Sequence, residues 1–90
     1  MTGKDRKALQ EAVDFADAKG LMLCFIYNPA FKHYYIQFKA PDTQEEMGAS
    51  LGDNLFAALT AACLTTNRVL GLLGLEKYEF AETQPLIIAP

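Results

Sequence analysis

The sequence predicts an α+β domain with the element order α-β-β-β-α. Three observations carry that reading: a helical period with one polar face over the first nineteen residues, two β-rich runs at 21–28 and 33–40, and an almost uncharged stretch from 54 to 75 with apolar residues at helical spacing. The natural packing of such elements is a three-stranded antiparallel sheet with both helices on one face.

In the first helix, Ala8, Leu9, Ala12, Val13, Phe15 and Ala16 cover one face, and Arg6, Lys7, Gln10, Glu11, Asp14 and Asp17 cover the other. Thr2 with Asp5 has the spacing of a capping box. Lys19 suits the negative end of the helix dipole, and Gly20 suits a left-handed stop. "LMLCFIYN" (21–28) is an unbroken apolar run closed by Asn28-Pro29, which predicts a strand covered on both faces or nearly so. "HYYIQFKA" (33–40) alternates: Tyr34, Ile36, Phe38 and Ala40 toward the core, His33, Tyr35, Gln37 and Lys39 toward water. The intervening "NPAFK" exceeds a two-residue hairpin turn, and Ala40-Pro41-Asp42 opens a second turn. "EEMGASLG" (45–52) predicts a short third strand with Met47, Ala49 and Leu51 on one side.

Asp53 is the expected N-cap of the second helix. Its inner stripe is Leu55, Leu59, Ala62, Thr66, Leu70 and Leu73. "TTN" (65–67) leaves two outcomes open, a stop near Asn67 or a kink followed by "RVLGLLG", because β-branched residues lose rotamer freedom in a helix. The expected core is Leu9, Val13, Ala16, Leu23, Phe25, Ile36, Phe38, Leu51, Leu55, Leu59 and Ala62. Residues 1–75 form the domain, and 76–90 form an uncertain C-terminal tail, docked or flexible, in which "PLII" reads as an edge strand or an apolar tail.

In outline this order resembles the double-stranded-RNA-binding domain. The second helix of that family opens with a basic pair that grips phosphates. The corresponding stretch here is "GDNLFAAL", with an acid and no lysine, so that function is not expected.

Composition narrows the function classes. Ninety residues make one domain, and 51% hydrophobic content is ample for a core. A net charge of −3 and a pI of 4.9 argue against a surface that grips nucleic acid or anionic membrane as a whole. Cys24 and Cys63 lie in apolar runs without ligand spacing and read as reduced thiols of a cytoplasmic protein, with a disulfide between them the alternative that the sequence leaves open. The charged N-terminus lacks the apolar core of a signal peptide. Residues 54–75 are long enough to span a bilayer, but Arg68 and Asn67 make insertion unfavourable.

Catalysis has little support. His33 and Ser50 are the only residues of their types and have no evident partners, and Glu45 and Glu46 are adjacent and so point apart in a strand. No cofactor or metal is expected. The strongest candidate is the outer face of the second helix. A solvated face should be polar, yet Ala57, Ala61, Leu64, Arg68 and Leu72 form a stripe with one charge. This predicts a protein–protein interface, a homodimer seam or a dock for another protein. A mobile-element-encoded inhibitor or adaptor is one form such a module takes. The alternative is a single-stranded nucleic-acid-binding module using the hairpin 27–39, where Phe31, Lys32, His33, Tyr35 and Lys39 combine rings with cations. "GLLG" (71–74) matches the spacing of the KH-domain GxxG loop, but Leu72 and Leu73 stand where that loop is basic or polar, and a helix terminus explains it better. Glycines in "GASLGD" (48–53) lack the lysine and spacing of a phosphate loop.

Overall fold

The computed structural model describes residues 3–79. In chain order these form α1 (Gly3–Lys19), β1 (Met22–Asn28), β2 (His33–Lys39), β3 (Glu46–Gly52) and α2 (Leu55–Leu72). The strands make one antiparallel sheet in the order β1-β2-β3, with both helices on one face, so the predicted α+β architecture is the observed one. Thr2 of the expected capping box, and "PLII", lie outside the described residues.

Both helices end in the same way. Gly20 has φ 70, the Leu21 N–H donates to the Ala16 carbonyl at 2.9 Å and the Gly20 N–H to that of Asp17 at 3.3 Å. Gly74 has φ 77, with Leu75 N–H donating to the Leu70 carbonyl at 2.9 Å and Gly74 N–H to that of Gly71 at 3.0 Å. Each glycine takes the left-handed position of a Schellman cap, which a side chain would strain. The second "G" of "GLLG" is therefore a helix stop. At the other end of α2 the N-cap is Asn54, not Asp53: the Asn54 Oδ1 accepts the Ala57 N–H at 2.9 Å. The "TTN" stretch neither stops nor splits α2, which runs unbroken past Asn67 because Thr66 is buried against the sheet.

The core lies between β2 and the helices. Ile36, Phe38 and Ala40 are fully buried, as the alternation of β2 predicts, and the Phe15 ring meets Phe38 edge-on at 5.1 Å. The buried stripe of α1 is Ala8, Ala12 and Ala16, small enough for close packing on α2. Lys4 sits over the Phe56 ring at 4.4 Å, while Glu11 lies near Cys63. The two helices therefore run side by side in the same direction.

Three expected core residues are on the surface. Val13 lies about 100° around α1 from Ala12 and misses the packed stripe. Leu51 faces away from the helices and is 63% exposed. In the register Tyr34↔Gly52, Ile36↔Ser50, Phe38↔Gly48, it is the small residues Gly52, Ser50 and Gly48 that face α2. Ala49 and Leu51 pair with Gln37 and Tyr35 on the open face, and an irregularity at Phe38/Lys39 brings Met47 back into the core. Phe25 is 44% exposed for a different reason. α2 covers β3 and β2, and α1 covers only the start of β1. The apolar run 21–28 is thus an edge strand whose second half is exposed, not one covered on both faces.

Residues 75–79 pack back on the domain. The Tyr78 N–H donates to the Lys19 carbonyl at 2.8 Å, the Lys19 ammonium to the Glu76 carbonyl at 2.9 Å, and the Tyr78 hydroxyl to Asp42 Oδ1 at 2.8 Å.

Candidate functional site

α2 presents the interface candidates on one face. The wheel that buries Leu55, Ala58, Leu59, Ala62, Thr66 and Leu70 turns Ala57, Ala61, Leu64, Arg68 and Leu72 outward, and all five are exposed. Leu64 is 64% and Leu72 82% exposed. Leu73, expected in the inner stripe, is also exposed, because it is the C-cap residue and leaves the helical path. Residues 75–79 dock beside Lys19 and leave this face open.

Between α1 and α2 runs a shallow groove of about 240 Å³, lined by Ala8, Phe15, Leu59, Cys63 and Leu64, with Glu11 and Thr60 at its rim. Burial, and then the nearby Glu11 carboxylate, push the Cys63 thiol above its usual pKa, so it is a poor nucleophile there. Cys24 pairs with Gln37 on the open face of the sheet, on the far side from Cys63, and both thiols are free. α2 is also long and apolar enough to cross a membrane, with mean hydropathy 1.4 over eighteen residues. Its buried third is the stripe that packs on the sheet and α1.

The nucleic-acid candidates lie in the hairpin loop and on the sheet face away from α2. Phe31 and Lys32 are exposed in the hairpin loop, where Lys32 takes φ 55 and the Asn28 Oδ1 accepts the Ala30 N–H at 2.9 Å. The Phe31 ring stacks on His33 at 6.4 Å with a 28° tilt. His33, Tyr35 and Lys39 share the open sheet face, and His33 and Tyr35 line with Ile26, Phe31 and Leu51 a second groove of about 450 Å³. An acid occupies the middle of this face. Glu46 Oε1 accepts the Tyr35 hydroxyl at 3.2 Å and the Gln37 amide at 3.0 Å, and Glu46 pairs across strands with Lys39. Partial desolvation and then the Glu46 carboxylate hold the Tyr35 phenol above its ordinary pKa. A phosphate backbone crossing this face would meet Glu46.

Residue-type spacing alone missed the role of Glu46, since a carboxylate in "EEM" carries no sign of which strand face it takes. Among the described residues no group of three or more His, Cys, Asp or Glu side chains is placed to hold a metal ion. Comparison with known proteins finds no matching family model, no matching curated protein and no matching solved structure.

Proposed function

We propose that this chain is a non-enzymatic protein-interaction module that self-associates through the outer face of α2. It acts by assembly or by occluding a surface, not by chemistry. The observation that supports the reading most strongly is the exposure of Leu64 and Leu72 on a helix face whose only charge is Arg68. Burying such a face recovers about 25 cal/mol per Å² of apolar area. A partner footprint of roughly 800 Å² fits one side of a domain this size. A two-fold dimer is the simplest closed arrangement, because one patch then covers itself. Action in the cytoplasm as an inhibitor or adaptor encoded by a mobile element is the form of such a module that the size and acidity suit.

Sedimentation equilibrium at tens of micromolar tests the proposal. A mass near twice 9.9 kDa supports it, and a clean 9.9 kDa species rejects the homodimer. Leu64→Glu, alone or with Ala57→Glu, is expected to give a folded monomer, because both side chains point away from the core. The Phe31–His33 stack favours a second reading, a single-stranded nucleic-acid module using the hairpin. Fluorescence anisotropy with a labelled oligonucleotide at two salt concentrations separates the two: binding that weakens with salt supports the second. Absence of binding at low salt removes it.

A further inference from the structure

We infer that the helix side of β1 is a docking site for the C-terminal segment of the same chain, residues 80–90, with "PLII" (85–88) set against Phe25 and Tyr27. The inference goes beyond the self-association proposed above and does not rest on it. Phe25 and Tyr27, each 44% exposed, point to the helix side of the sheet past the stretch that α1 covers. Both rings meet Tyr34, at 5.8 and 4.8 Å between ring centres, so the three form one aromatic patch. The outer edge of β1 is open as well, because among the described residues β1 pairs with β2 alone. An apolar strand with an unpaired backbone edge takes an extended apolar segment.

Residues 75–79 point to which segment that is. They cross from the end of α2 to the end of α1, where the Tyr78 N–H donates to the Lys19 carbonyl at 2.8 Å and Glu79 lines a shallow pocket with Ala18 and Lys19. The Tyr78 carbonyl oxygen stands so near Gly20 that a Cβ placed there would lie 3.1 Å from it. The chain is thus carried away from Leu72 and Leu73 and delivered to the start of β1. From Gly20 to Phe25 and Tyr27 is five and seven residues, and from Glu79 to Pro85 and Ile88 is six and nine. A segment extended along β1 at about 3.3 Å per residue therefore brings "PLII" level with the two rings. The composition fits: "FAETQPLIIAP" carries one charge, Glu82. Pro85 suits a segment with an open outer side, since a proline lacks an N–H to donate and is tolerated at a sheet edge.

NMR on the full chain tests the assignment. Nuclear Overhauser contacts are expected between the methyl groups of Leu86, Ile87 or Ile88 and the rings of Phe25 or Tyr27. In a sample mixed from differently labelled copies, those contacts should stay within one copy. Ile87→Asp/Ile88→Asp in the full chain should abolish them and raise binding of the dye ANS several-fold, because the aromatic patch is then uncovered. A wild-type chain without the contacts overturns the inference, and so does a double variant that binds ANS as the wild type does. Contacts found only between copies overturn it in favour of a second chain on β1. Contacts to Leu64 or Leu72 instead overturn it and remove the α2 seam as well. A monomeric wild type that shows the Phe25 and Tyr27 contacts supports it while rejecting the homodimer, so the two readings fall separately.

Discussion

At Gly48 the sheet and α2 come closer than any side chain would allow. A Cβ placed there would lie 2.8 Å from both the Cα and the N of Thr66, and closer still to the Thr66 hydroxyl. Backbone cannot give way as a flexible side chain can, so Gly48→Ala must push α2 off β3. The expected cost is about 1–3 kcal/mol, read as a lower urea midpoint. Thr66 Oγ1 is buried and has no hydrogen-bond partner. Thr66→Val keeps the shape and removes the unpaired hydroxyl, so it should raise stability by up to about 1 kcal/mol with an unchanged denaturant slope. Two tyrosines add a pH dependence on the alkaline side. Donation to Asp42 and then desolvation raise the Tyr78 phenol, and desolvation and then Glu46 raise that of Tyr35, above the ordinary 10.0. The folded chain therefore holds these protons more tightly than the unfolded chain does. Their stabilisation is complete below about pH 10 and is lost as the pH rises from there through the folded values. Urea midpoints between about pH 9 and 11 should fall, and should fall less in the Tyr35→Phe/Tyr78→Phe double variant.

Among the elements, α2 is defined by its ends and by the face it hides. Asn54→Ala should cost about 1 kcal/mol because it removes the cap on the Ala57 N–H, whereas Asp53→Ala should cost only a few tenths. Urea unfolding of the two variants decides which residue is the cap. Leu51 and Leu59 make a similar contrast. Leu51→Ala should change stability by no more than about 0.5 kcal/mol, while Leu59→Ala should cost about 2–5 kcal/mol. These pairs also mark how far the sequence could be read. The α1 period and the β2 alternation were legible because large apolar and charged residues alternate there at a fixed spacing. The orientation of β3 was not, because its inward residues are Gly48, Ser50 and Gly52, which carry almost no hydropathy, and Leu51 therefore dominated the pattern. The cover over β1 was not legible either. "LMLCFIYN" has the composition of a buried strand, but burial on the helix side stops after its first residues and leaves Phe25 and Tyr27 exposed there, while Ile26 points to the open face. The outer stripe of α2 was legible, since helical spacing alone fixes which residues share a face. Among the described residues nothing covers that stripe.

The molecule as a whole keeps its core on one side of a thin sheet and leaves apolar groups exposed elsewhere, among them the outer face of α2, the groove of Ile26, Phe31 and Leu51, and Phe25 with Tyr27 on the helix side of β1. If the α2 face is the seam, Leu64→Glu should abolish self-association while Leu51→Lys leaves the mass unchanged, and light scattering on the two variants tests that division. The late position of α2 in the chain has a consequence during synthesis. The strands are made first, and Ile36, Phe38 and Met47 then have only α1 to shelter them until Leu55, Leu59 and Leu70 are added. A chain that lacks α2 carries an uncovered sheet face beside β1, an edge strand without a charge or a proline. A fragment of residues 1–52 should accordingly precipitate or be held by chaperones under conditions in which the full chain stays in solution.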